Sequence, residues 1–436
     1  MKKYMITALS LILALLLGSC ALLDYLPTAK VKRPEEDAVN PYLQVVPDEV
    51  SYSEGYEPVQ STYSYDMLPL EGEKRLYEKL LDNCYDISPE KTAEADRYPM
   101  PQIKLDGYSL SEAEVRTAAK ALTDDHPEVF WLTGTMGYSS NYETTVVQLY
   151  SSYSPEEVDT RVNAVRAAAN EFYATVPDGL SEYEREKAVH DYLLANLEYD
   201  KDVDTIDFEN NDPDIYTVYG ALVNRLTVCE GYARSFQMLL NGLGIDCVGV
   251  MGESSGQMHI WNCVKLGENW YNVDATWNDR EEIYARYIYF NVSDDYLLED
   301  HTPSPRFDEL SDEEINGSEG NYSASVMNLF VPACTDDRMG YYYLESPHLT
   351  DFQGEAVKVG LLTSAEKQDD FFVFYIDESL DYHSAVSQLF TDYPQYFFGY
   401  LNAVNNTLPD YSVDSSNASY YTHEKSRIVA VELHYY

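Results

Sequence analysis

Tyr232, Phe236, Leu239, Leu240 and Leu243 recur at i, i+4, i+7, i+8 and i+11, the period of one buried helix face. Gly244 follows where such a helix would end in a left-handed cap. Three apolar stretches come next, separated by turn residues: Ile245 to Met251, Met258 to Leu266 and Asn269 to Ala275. The reading of this segment is thus a buried helix followed by three strands. Cys229 stands at the first turn of that helix. There the unpaired N–H groups and the positive dipole end stabilise a thiolate and lower its pKa. The same amides offer half of an oxyanion hole. The alternative for a cysteine here is a small buried hydrophobe.

The strands supply partners for the sulfur. With Leu266-Gly267 as a two-residue hairpin, Lys265 faces Glu268 and His259 lies directly across from Asp274. Opposed residues have Cβ atoms about 4.5–5.5 Å apart, within hydrogen-bond reach for an imidazole and a carboxylate. The carboxylate would fix the ring tautomer and leave the other nitrogen for Cys229. On this register a one-residue slip of the turn breaks the pairing. A turn centred on Ser255 likewise sets Cys247 opposite Cys263, either as a disulfide or as two reduced core thiols. Cys84 and Cys334 are expected to be unpaired. Glu230 and Arg234 have the spacing of a local ion pair, and Trp261 and Trp277 flank the His and Asp to exclude water.

At this point the chain resembles a known family. "YGALVNRLTVCEGYARSFQMLLNGLGIDCVGV", "MHIWNCVKLGENWYNVDATWND" and "YFNVSDDYLLEDHTP" are similar to the bacterial transglutaminase-like superfamily, as is the preceding "EREKAVHDYLLANLEYD". The resemblance covers roughly Glu182 to Pro303. It implies a papain-like α+β fold with Cys229 as nucleophile, His259 as general base and acid, and Asp274 as orienter. Tyr219, ten positions before the cysteine, matches an aromatic near the oxyanion side in similar proteins; a core tyrosine is the alternative.

The first residues carry a second resemblance. Lys2 and Lys3 precede an apolar run from Met5 to Leu17, the pattern of a secretory signal peptide. Its Leu17-Gly18-Ser19-Cys20 ending resembles the lipobox of bacterial lipoproteins, which implies cleavage before Cys20 and acylation of that residue. The expected location is extracytoplasmic, lipid-anchored to the membrane surface. An exported chain with five further cysteines is expected to keep at least one thiol.

The expected organisation is a signal peptide at 1–19, a flexible tether at 20–61 and an accessory α+β domain at 62–178. The transglutaminase-like core follows at 179–303, then a linker at 304–320 and a small C-terminal α+β domain at 321–436. Capping boxes at Ser111/Glu114, Ser154/Glu157 and Ser181/Glu184 each announce a helix, the first running to Leu122. In the last domain a strand is expected at Phe371–Ile376 and one helix near Tyr382–Ala403.

Charge removes whole classes of function. Lys and Arg number 29 against 75 Asp and Glu, a net charge of −46 that repels phosphate, so nucleic acid is not an expected partner. The remaining histidines (His126, His190, His301, His348, His383, His423 and His434) form no HExxH, no CxxC exists, and no phosphate or calcium loop is present, so neither metal nor cofactor is expected. The expected function is therefore thiol chemistry on peptide or amide bonds through an acyl-thioester, with hydrolysis favoured over amine cross-linking. The substrate would be a peptide or protein, cationic or associated with the cell wall. The competing class is a surface binding or scaffold lipoprotein whose papain-like domain lacks activity.

Overall fold

The structure is a computed structural model and describes residues 62–92, 97–203, 211–306, 309, 327–408, 411–415 and 418–436. The expected signal peptide, Cys20, the tether and most of the 304–320 linker lie outside the described residues. Among the described residues no helix is long and apolar enough to cross a membrane.

The chain divides into two compact units, Met1–Thr276 with Leu298–Cys334, and Trp277–Leu297 with Thr335–Tyr436. The boundaries expected at 178 and 303 are not where it divides. Arg234 Nη1 and Gln237 Nε2 on the cysteine helix donate to the main-chain oxygens of Thr123 (3.0 Å) and Asp124 (2.7 Å), tying the expected accessory region to the core.

Within the first unit all three capping boxes form. They open α1 (Glu112–Asp125), α2 (Pro155–Tyr173) and α3 (Glu182–Asn196). In each, the serine accepts from the N3 amide while the N3 glutamate accepts from the serine's amide, satisfying two otherwise orphaned donors. Helix α1 continues to Asp125, past the expected Leu122, and stops ahead of Pro127. Strands β1 (Ile103–Asp106) and β2 (Leu132–Ser140) pair antiparallel with β3 (Thr144–Ser151).

A two-residue strand, β4 (Glu198–Tyr199), leads towards the cysteine helix α4 (Cys229–Gly242), which is buried all round from Glu230 to Gly242. It packs between α3 and strands β5 (Cys247–Ser254) and β6 (Gln257–Leu266). Burial of each of Tyr232, Phe236, Leu239 and Leu240 contributes roughly 1.5–3 kcal/mol and fixes where the helix begins. Gly231 is what permits the close approach: a Cβ there would lie 1.8 Å from Thr227 Oγ1. Strands β7 (Asn269–Val273) and β8 (His301–Pro303) complete the run, in the order β7-β6-β5-β8 with every neighbour antiparallel.

Both hairpin registers differ from the expected ones. Strands β6 and β7 turn at Gly267-Glu268, so Lys265 faces Trp270 and Asn262 faces Val273. A turn moved by one residue shifts partners by two, which keeps every side chain on its face. Asp274 therefore stays on the His259 side as a diagonal neighbour, and the slip that was expected to break the pair does not. In β5 and β6 the shift is of the other kind. Val248 faces Cys263 and Cys247 faces Val264, so the two cysteines point to opposite faces and do not meet. Cys263 instead has the Cys334 sulfur 3.7 Å away, with no disulfide between them, in keeping with the expectation for Cys334.

The second unit carries its own sheet. Strand β9 (His348–Leu349) runs parallel to β10 (Phe371–Ile376), and β10, β12 (Ile428–Glu432) and β11 (Tyr420–His423) are antiparallel neighbours in that order. Its core gathers Phe372, Phe374, Leu389, Phe397 and Leu401 beneath α5 (Glu355–Lys367), α6 (Tyr382–Phe390) and α7 (Tyr396–Asn405). The single helix expected over Tyr382–Ala403 is two, because Pro394 has no N–H to give and its ring blocks the preceding turn. A cavity of about 410 Å³ in this unit is walled by Tyr284, Tyr287, Tyr341, Tyr342 and Phe371.

Candidate active site

The first turn of α4 presents Cys229 half-buried, whereas Cys84, Cys247, Cys263 and Cys334 are buried. Val228 at the N-cap provides no side-chain acceptor, so the first-turn amides are not closed off by a cap. Behind the sulfur, Ala233, Met251 and Ile260 form an apolar floor.

His259, on β6, feels the Cys229 sulfur on one side. On the other, its Nε2 lies 2.7 Å from Asp274 Oδ2. With Nε2 committed to the carboxylate, Nδ1 is the nitrogen left to serve the sulfur. Burial disfavours a charged ring, but the charge of Asp274, its hydrogen bond and the Cys229 sulfur override this and hold the His259 pKa up at about 10. Asp274 is buried, which would raise its pKa. The charge and hydrogen bond of His259, joined by those of His301, instead hold it well below the usual carboxylate range. At neutral pH this is an imidazolium pinned between a carboxylate and a sulfur.

Sequence reasoning missed His301. Strand β8 pairs on the far edge of β5, with His301 across from Ser254 and Pro303 across from Gly252. This places His301 Nε2 3.0 Å from the same Asp274 Oδ2 that His259 uses, and its Nδ1 2.6 Å from Asp300 Oδ1. Trp261 shares the His259 face of β6 and covers both rings, with centroids 6.3 Å from His259 and 5.2 Å from His301. A Cβ on Gly252 would lie 2.7 Å from the Trp261 ring and 2.4 Å from the Thr302 carbonyl oxygen, so this glycine makes room for both. Trp277, expected beside the site, lies in the second unit, edge-on to Tyr289.

His259, Asp274 and His301 bring three potential ligand atoms within 4.8 Å of one another, a spacing a cation could bridge. Hydrogen bonds already join those atoms into a proton network.

Tyr219 is engaged elsewhere. Its ring stacks on Phe130 at 6.2 Å and receives the Arg161 guanidinium at 4.4 Å. The tyrosines that feel the charge of Cys229 are Tyr199 on β4 and Tyr216. Tyr216 is pushed up to about 12, chiefly by burial and then by Glu230 and Cys229, against a hydrogen bond from Asn211. Tyr199 is raised by burial, then by Cys229, Tyr216, Asp200 and Asp274. Glu230 and Arg234 do pair, with Nε to Oε1 at 3.2 Å, and both are buried.

The family model of the Transglutaminase-like superfamily matches residues 166–275, which take in α3, α4, β5, β6, β7 and Asp274. Kyphoscoliosis peptidase of Mus musculus is 26% identical over 160 residues, 32% of this chain and 24% of its own length. The protein of the same name from Homo sapiens is 27% identical over 143 residues, 28% of this chain and 21% of its own. The chain thus spans about a quarter of the length of these curated relatives. A TGase crystal structure aligns over 41% of this chain and 51% of its own with 15% identity and a TM-score of 0.25. The segment that holds Cys229, His259 and Asp274 is a transglutaminase-like domain.

Proposed function

We propose that this protein is a thiol hydrolase of peptide or amide bonds, with Cys229 as nucleophile, His259 as general acid and base, and Asp274 as orienter. The observation that carries the proposal is one set of groups: a half-buried sulfur at a helix mouth, acting on an imidazole whose Nε2 is 2.7 Å from a buried carboxylate. The sulfur attacks the carbonyl carbon, and the oxygen takes up negative charge beside the uncapped amides of α4. The His259 imidazolium gives its proton to the departing amine, leaving an acyl-thioester. Water resolves it: its oxygen bonds to the acyl carbon, its proton passes to His259, and the C–S bond breaks to return the thiolate. An amine in place of water would give cross-linking. Hydrolysis is favoured because water is always present, whereas an amine acceptor needs a binding site of its own. Relatives called peptidases point the same way.

The lipobox-like start makes Cys20 the proposed lipid anchor and the membrane surface the proposed location. The net charge of −46 favours cationic peptides or amine-bearing wall material as substrates, in which case added salt should raise KM. The test of activity is mass spectrometry of a peptide mixture exposed to the protein and to Cys229→Ala, with and without a primary amine. Shortened or deamidated peptides that need Cys229 support hydrolysis, and amine adducts would make it a transferase. No Cys229-dependent product would leave a binding module.

A further inference from the structure

The mechanism uses one histidine, yet the structure places a second on the same carboxylate. His301 is buried, with ring nitrogens 3.0 Å from Asp274 Oδ2 and 2.6 Å from Asp300 Oδ1. Ionised carboxylates only accept hydrogen bonds, so each ring nitrogen of His301 faces an acceptor. We infer that His301 is a positioning residue that, held by Asp300, shares Asp274 with His259 and so makes the reactive pair the end of a chain Asp300–His301–Asp274–His259–Cys229. The inference rests on the proposed role of Cys229 and His259.

The network itself is assembled from four places in the fold: Cys229 from α4, His259 from β6, Asp274 after β7, and His301 with Asp300 at β8. Tyr199 on β4 lies within the field of Asp274 and Cys229. Sharing has two effects on His259. Asp274 Oδ2 is drawn between two donors, which fixes its direction, because His301 enters from a different strand. The two rings are 5.5 Å apart, so positive charge placed on His301 also opposes positive charge on His259. Asp274 alone would hold the His259 proton too firmly for the ring to act as a base. His301 loosens that hold.

This matters most when the thioester is resolved. The sulfur then carries the acyl group and no charge, so one cause that keeps His259 protonated is gone. The ring must still be neutral to take the proton of the attacking water. Loss of positive charge at His301 should make it neutral only at higher pH. Unit charges at this spacing in a protein interior correspond to roughly one to two pH units, so deacylation at neutral pH should slow roughly 10- to 100-fold.

The experiment uses p-nitrophenyl acetate, which acylates Cys229 and releases p-nitrophenolate. Burst amplitude reports acylation and the later steady rate reports deacylation, each measured against pH for the wild type, His301→Gln and Asp300→Asn. The expected result is a retained burst in both variants, with the deacylation limb moved to higher pH in His301→Gln and in the same direction but less in Asp300→Asn. Asp300 has a side chain one-third exposed, so its variant should fold even where the His301 variant does not. Limbs that coincide with the wild type in both variants overturn the inference. A wild type with no Cys229-dependent burst overturns instead the proposed function on which it rests.

Discussion

Replacing Asp274 with Asn keeps the side chain's shape and removes its charge, which tests the electrostatic half of the site separately from its geometry. In the native protein His259 is held at about 10 against an ordinary value of 6.5, although burial pulls the other way. At about 1.4 kcal/mol per pH unit the net preference for the imidazolium, after burial has taken its share, is about 5 kcal/mol. Asn cannot supply that charge, and the ring remains 7% exposed, so burial is left less opposed. The His259 pKa should fall below its ordinary value. At neutral pH the ratio of protonated to neutral ring then drops on the order of 10³-fold. The assay is an NMR titration of ¹³C-labelled histidine rings, with the His259 resonance identified by its loss in His259→Ala. Cys229 alkylation by iodoacetamide, followed in the same samples, should slow with it. A His259 ring that still titrates near its native value in Asp274→Asn would show that the carboxylate is not the source of the imidazolium's stability.

Three further outcomes follow from the same contacts. Burial raises Glu73, Asp125 and Glu230 to about 7, and His259 is held at about 10, so each of these groups binds more protons folded than unfolded. Their stabilising contribution is complete below the unfolded values and fades as pH climbs through the folded ones, so the urea midpoint should fall from about pH 5 to pH 10; a midpoint that rises across that range contradicts these shifts. Gly231→Ala forces a methyl to within 1.8 Å of Thr227 Oγ1 and should destabilise the protein by roughly 1–3 kcal/mol, read as a lower urea midpoint; an unchanged midpoint would mean α4 has slack behind Cys229. Treatment with EDTA should leave Cys229 alkylation and its pH dependence unchanged, because protons join His259, Asp274 and His301; a change would mean that a cation bridges them.

What the sequence disclosed was mostly local. The three capping boxes and the α4 stripe are patterns within one element, and a serine or a Leu face acts over one or two turns. The His259–Asp274 contact was legible although the hairpin register was not, because parity of side-chain direction survives a one-residue move of the turn. The proposed meeting of Cys247 and Cys263 failed for the converse reason: its partner sum was off by one, which flips faces. His301 was hidden by distance along the chain. It joins the site only because β8 adds to the far edge of β5, a pairing set by no turn signal and closed by more than thirty residues of intervening chain. Tyr219 drew notice through its spacing from Cys229, whereas Tyr199 and Tyr216 reach the sulfur's field by chain reversals that spacing does not encode.

The account stands on Cys229 being activated by His259, and the most direct measurement is the iodoacetamide alkylation rate of Cys229 across pH 5–9, compared between the wild type and His259→Ala with labelled sites identified by peptide mass spectrometry. The account predicts rapid alkylation already at neutral pH in the wild type and, in His259→Ala, a slow reaction that rises only near pH 8.5, where an ordinary thiol ionises. Identical pH profiles in the two proteins would contradict it.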